Sequence, residues 1–136
     1  MLPVCGVQLA PQRGDATANT EMVETAILTA TAEGARLVVF PEATLTGYVF
    51  HDRESALAGA IEASGPELES IGAACGSAAA WAVVGAIERD AARLHNSLFL
   101  VGPGGIVGRY RKIHTLCLGV DRFTTPGSEP PLSLIH

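Results

Sequence analysis

Cysteine is the first thing this chain has little of. Cys5, Cys75 and Cys117 are odd in number and far apart, and no C-x-x-C occurs. That excludes a disulfide framework and fits a reduced, cytoplasmic protein. The four histidines, His51, His95, His114 and His136, match no zinc spacing, so no metal site is expected. Charge is also scarce, at 17% of residues, where about a quarter is usual. The net charge is −5, and the only basic cluster is Arg109, Arg111 and Lys112. Nothing here is an electrostatic footprint for nucleic acid. No apolar run approaches the ~20 residues of a membrane span. The opening "MLPVCGVQLA" has no basic segment before a long apolar core, so it does not read as a signal peptide. G-x-G-x-x-G, G-x-x-x-x-G-K-[ST] and G-x-S-x-G are all missing. Dinucleotide binding, a phosphate loop and a serine-hydrolase elbow drop out with them.

What is present is apolar. Hydrophobic residues make up 48% of 136 residues, enough for one domain with a real core. The pattern alternates strand and helix. Residues 4–9 read as a short strand, and Asp15 is placed to cap a helix over residues 16–33. In that helix Met22, Val23, Ala26, Ile27 and Ala30 recur on one face, and Gly34 ends it. Residues 36–40, "RLVVF", form a continuous apolar strand, which implies a sheet covered on both faces. Strand, helix, strand in short order suggests a βαβ-type unit.

Residues 41–55 read as loop. A helix follows from about Pro66 to Ala79, with the proline in its first turn. "WAVVGAIE", 81–88, is another buried strand. "LHNSLFLV" and "IVGRYRKI" flank "GPGG" and make a hairpin. "LSLI", residues 132–135, reads as the opening of a further strand.

Two residues invite chemistry. Glu42 lies just past the carboxyl end of a buried strand, the edge where open α/β sheets bind ligands. Desolvation there would make it a better base. Position alone leaves this open against a loop carboxylate facing solvent. Lys112 ends the run "VGRYRKIH", with Arg111 and His114 beside it. It is either an edge-strand surface lysine or an ammonium placed to offset a developing negative charge.

Read together, the segments narrow the choice. "LVVFPEATLTGY", then "GRYRKIH", then "DRFTTPG", with the early "VCGVQLAPQRGDATAN", resemble the nitrilase or carbon–nitrogen hydrolase superfamily over essentially the whole chain. The resemblance implies an α/β protein, part of an α-β-β-α sandwich. It also implies hydrolysis of amide, nitrile or carbamoyl substrates through a Glu-Lys-Cys triad, without metal or organic cofactor, in a homo-oligomer. Carried over by motif, Glu42 is the general base, Lys112 stabilises the tetrahedral intermediate, and Tyr48 lines the pocket. Many members have a second glutamate before the "F..PG" segment. Here Asp121 stands nearest to it, and Asp121 and His114 are the candidates to support the pair.

The family's nucleophile has no counterpart. It follows the lysine by a few tens of residues, in a segment like "CYD..FPE", whereas this chain runs 24 residues past Lys112 and its nearest cysteine, Cys117, sits in "HTLCLG". Residues 1–136 are therefore expected to be the N-terminal part of a single hydrolase domain, without the C-terminal strands and helices, and inactive alone. "HDRESALAGAIEASGPELE" tilts the substrate towards amides. The alternative is a non-catalytic module that keeps half of the fold to bind a small molecule or assemble.

Overall fold

The computed structural model describes residues 1–130, so the strand expected at 132–135 lies outside the described residues. The elements run β1 (Val4–Gly6), α1 (Ala16–Ala32), β2 (Leu37–Val39), α2 (Arg53–Gly59), α3 (Pro66–Ala78), β3 (Trp81–Asp90), β4 (Arg93–Gly102), β5 (Gly105–Arg111) and a 3₁₀ turn, Gly119–Phe123. They form one five-stranded sheet in sequential order. The pairs β1–β2 and β2–β3 are parallel, and β3–β4 and β4–β5 are antiparallel. The βαβ unit and the glycine-turn hairpin are both present.

Local chemistry explains the helix boundaries. Asp15 caps α1 by accepting the Ala18 amide at 3.0 Å. At the other end Gly34 takes φ +99°, and the Ala35 amide returns to the Ala30 carbonyl at 3.0 Å, which satisfies the loose carbonyls of the last turn. Pro66 opens α3, where its missing N–H costs nothing. The helix closes on Ala79 with φ 48°, a left-handed position usually left to glycine.

Three expectations need correction. β1 stops at Gly6 rather than residue 9, although the Val7 amide still reaches the Val39 carbonyl at 2.9 Å. The expected loop 41–55 already contains the start of α2, which Asp52 and Ser55 cap reciprocally. The strand at 36–40 is not covered equally on both faces: Val38 is fully buried, but Leu37 and Val39 are half-buried. The reason is the layering. Helices α1 and α3 pack on one face, and Val23, Ile27, Val38, Leu68, Ile71 and Phe99 form that core. The other face keeps Val4, Trp81 and Leu98 partly exposed among the described residues.

A second, smaller cluster holds Phe50, Ala56, Ile87, Leu94 and Val120. It ties α2 and the 3₁₀ turn to the ends of β3 and β4, and this corner positions the site.

Candidate active site

Glu42 stands where β2 has ended and the chain crosses over β3. The crossing is held by ladder-like bonds: Phe40 amide to Val83 carbonyl at 2.9 Å, Leu45 amide to Gly85 carbonyl at 3.0 Å, and Ile87 amide to Thr46 Oγ1 at 3.0 Å. Ala43 sits at φ 52°, a cost of about 1 kcal/mol for a residue with a Cβ. Gly85 makes this turn possible. A Cβ there would lie 2.6 Å from the Ala43 nitrogen, 2.8 Å from the Pro41 oxygen and 3.0 Å from the Glu42 Cα. The backbone carrying Glu42 can approach the sheet only over a glycine.

Lys112 comes from the other side, one residue past β5. Its amide donates to the Asn96 carbonyl at 2.8 Å and its carbonyl accepts from the Gly127 amide at 2.9 Å. The backbone is thus clamped on both sides. Its ammonium lies 2.9 Å from Glu42 Oε1 and 2.8 Å from Asp121 Oδ2. Asn96, on β4, donates from Nδ2 to the same pair, at 2.6 Å to Glu42 Oε1 and 2.8 Å to Asp121 Oδ1. Two donors therefore bridge two carboxylates in a closed square. A cleft of about 370 Å³, lined by Glu42, Gly85, Asn96, Tyr110 and Lys112 among others, opens in front of it.

The two carboxylates are not equivalent. The Asp121 side chain is fully buried, and both its oxygens are occupied, Oδ2 also accepting the Leu116 amide at 3.3 Å. Burial pushes its pKa up, but the hydrogen bonds from Lys112, Asn96 and Leu116 outweigh this and hold it below the usual carboxylate range. Glu42 has a half-exposed side chain. Its Oε1 carries both bonds, and Oε2 has no partner among the described residues. Burial works against the Lys112 ammonium, but its bonds to Asp121 and Glu42 win and raise its pKa above the ordinary lysine value. At neutral pH Lys112 is a fixed cation. One ammonium between two carboxylates leaves one net negative charge, and the free lone pairs are on Glu42.

Tyr48 lies near Asp121 and is not one of the residues lining this cleft. Its hydroxyl donates to the Leu118 carbonyl at 3.2 Å, its carbonyl accepts the Val120 amide at 3.0 Å, and its ring occupies the space where a Cβ on Gly119 would be. Burial, then the charge of Asp121, raises its pKa. His114 is exposed and makes no hydrogen bond to Glu42, Lys112 or Asp121. Of the cysteines, Cys75 is buried in α3, where burial pushes its thiol up to about 11. Cys5 lies on β1, packed against the helix-side core, and Cys117 is on the exposed loop after β5.

Asn96 is the site residue that sequence reasoning missed. The available signal was "HNS", three polar residues inside the apolar strand "LHNSLFLV". His95, Asn96 and Ser97 are all buried, and buried polar groups need partners. Tyr110 was also readable, since it lies two residues from Lys112 and therefore on the same strand face. No group of three His, Cys, Asp or Glu is placed to hold a metal among the described residues, and none of their helices is long and apolar enough to cross a membrane.

Comparison with known proteins gives the family and the fold. A family model described as carbon-nitrogen hydrolase matches residues 4–129. A nitrilase of Pyrococcus abyssi is 38% identical over 117 residues, covering 84% of this chain and 44% of that protein. Nitrilase 2 of Arabidopsis thaliana is 32% identical over 124 residues, covering 79% and 37%. An N-terminal amidase crystallised with a Gln-Val peptide superposes with a TM-score of 0.77 at 27% identity, over 93% of this chain and 31% of that one. An amidase from Nesterenkonia has the same TM-score, 0.77, at 17% identity, a likeness of fold. The chain thus spans less than half the length of the curated relatives it matches.

Proposed function

The chain belongs to the carbon–nitrogen hydrolase family, and on that premise we propose that it supplies the base and the cation of an amide- or nitrile-cleaving site. The observation that carries the reading is the square of Glu42, Lys112, Asp121 and Asn96, with Glu42 alone keeping a free oxygen.

In this reading Glu42 takes the proton from a thiol through Oε2, and the thiolate attacks the substrate carbon. Lys112 stays charged and stabilises the negative charge that develops on the attacked carbonyl oxygen or nitrile nitrogen. Asp121 keeps Lys112 protonated and aimed, and Asn96 fixes the spacing between the two carboxylates. For an amide, Glu42, now protonated, gives its proton to the leaving amine, and water then releases the acyl group from sulfur with Glu42 as base again. For a nitrile the proton goes to the nitrogen of the thioimidate, a first water adds to its carbon so that ammonia leaves, and a second water releases the acid.

The thiol is not Cys75, which is buried with a raised pKa, nor Cys5, which packs against the core on the helix side. Cys117 shows no hydrogen bond to any member of the square. We assign the nucleophile to a segment outside these residues, and residues 1–136 alone are then inactive. The family relatives named nitrilases and the peptide-bound N-terminal amidase support a small amide or nitrile as substrate.

The test is Glu42→Gln in the longest available form of the protein, assayed on short aliphatic amides and nitriles. A loss of roughly 10³-fold in kcat is expected for removal of a general base. Unchanged turnover would remove Glu42 from the mechanism. Saturable amide binding with no product in the unmutated longest form would favour a binding module instead.

A further inference from the structure

Arg111 and Lys112 are consecutive, yet they serve opposite faces of the sheet. Lys112 and Asn96 face the cleft. Arg111 and Ser97 face the helix side, where both reach Glu88. The Glu88 side chain is 2% exposed. It accepts from Ser97 Oγ at 2.6 Å, Arg109 Nη1 at 2.8 Å, and Arg111 Nε and Nη2 at 2.9 and 2.6 Å. The same Nη2 of Arg111 also reaches Asp90 Oδ2 at 2.9 Å. A buried ion cluster is a poor way to gain stability, because well-packed apolar residues often do as well. It is a good way to choose one arrangement among several.

The β4–β5 hairpin has such a choice to make. Next to the turn, Gly102 pairs with Gly105 and Val101 with Ile106. From Leu100 onward the pairing is one residue out of step: Leu100 with Gly108, Phe99 with Arg109, Leu98 with Tyr110, Ser97 with Arg111. Val107 is the surplus residue, and it is exposed. Continued without that bulge, the turn's register would set Arg111 opposite Asn96 and send Lys112 to the other face. A one-residue slip exchanges the two faces of a strand. Glycines at positions 102, 105 and 108 offer little side-chain packing to resist it.

We propose that Glu88 is a positioning residue: by holding Arg111 through a two-nitrogen fork and Arg109 beside it, it selects the bulged register that turns Lys112 towards Glu42 and Asp121. The fork is what distinguishes the two neighbours. A guanidinium matches a carboxylate through two parallel bonds, whereas a lysine is a single point of charge. The wrong register would leave Glu88 with a lysine and the cleft with an arginine too large for the square.

Lys112 is the chain's only lysine, which makes its facing directly readable. The experiment is pulse acetylation with acetic anhydride at mildly alkaline pH, with mass spectrometry of the Lys112 peptide. It is run on the wild-type chain, Glu88→Leu, a deletion of Val107, and the two combined. In the wild type the raised pKa protects the amine. Glu88→Leu releases it, and acetylation rises at least about tenfold, the factor of one pKa unit. Deleting Val107 makes the correct facing the unbulged register. Lys112 then stays protected with or without Glu88.

Unchanged acetylation in Glu88→Leu would overturn the proposal. Equal release with and without Val107 would mean unfolding and overturn it too. Release by the deletion alone would show that Val107 is not the surplus residue, and the proposal would fall with it. The catalytic consequence rests on the function proposed above, but acetylation needs no turnover, so the two readings fail separately.

Discussion

Asn96 Nδ2 lies 2.6 Å from Glu42 Oε1 and 2.8 Å from Asp121 Oδ1, so one neutral amide spans two carboxylates that would otherwise repel each other. Replacing it with leucine leaves Asp121 Oδ1 buried without its donor. The expected cost is about 2 kcal/mol, read by urea denaturation. In the longest form of the protein kcat falls further than KM rises, because the Glu42 carboxylate loses its anchor. A variant with full stability and full kcat would show that Lys112 alone organises the pair.

Gly85 is expected to tolerate no side chain. Alanine there meets the Ala43 nitrogen at 2.6 Å and the Pro41 oxygen at 2.8 Å, both backbone atoms. Relief requires moving the Glu42 turn away from β3. Gly85→Ala should cost roughly 2 kcal/mol in stability and on the order of 10²-fold in turnover, as for a misplaced reacting group. Thermal denaturation and steady-state kinetics check the two effects together. Wild-type kinetics would mean that the turn can shift without moving Glu42.

Asp121 gives the protein an acid limb. Its folded pKa lies below the unfolded value, from burial opposed and exceeded by hydrogen bonds from Lys112, Asn96 and Leu116. The unfolded state therefore binds the extra proton first. The stabilisation is present above the unfolded pKa, about 4, and is lost as pH falls through the lower folded value. A plot of Tm against pH should drop below about pH 4 and flatten in Asp121→Asn, which starts lower at pH 7. Parallel curves would place the acid limb on other groups, Glu88 first.

His95 should produce a separate decline nearer neutrality. Its Nδ1 lies 2.8 Å from the Thr125 carbonyl. A carbonyl only accepts, so Nδ1 carries the proton and Nε2, which is buried, has no partner. Burial, then the charge of Arg111, lowers its pKa, against smaller opposing effects from the Thr125 bond, Glu88 and Asp90. Here too the unfolded chain protonates first, so stability falls as pH drops below the unfolded value of about 6.5. His95→Phe should remove that decline. If the variant keeps it, another histidine is responsible.

Glu42 and Lys112 were legible because each closes an apolar, strand-like run with a charge, and because the runs around them resemble a known family. Asp121 was found through the same resemblance, but its full burial was not visible in "GVDRFTTPG". Tyr48, expected on the pocket wall, lies close enough to Asp121, Glu42 and Lys112 to feel their charges and also braces the 3₁₀ turn through the Leu118 carbonyl, a second contact that the sequence did not reveal. In sequence Glu88 reads only as the last residue of the buried strand 81–88. Only the hairpin partner two strands along brings Arg109 and Arg111 over it.

Local physics accounts for what the sequence by itself determined. Apolar periodicity, the Asp15 cap and the proline at the start of α3 depend on neighbours within a turn or two, so element order, the βαβ start and the hairpin were readable. Tertiary structure alone decided which residues meet across the sheet. Glu42 and Lys112 are 70 residues apart, and their contact depends on a glycine under one and a one-residue bulge before the other. Both are properties of strand register and close backbone approach, which no local window of sequence contains.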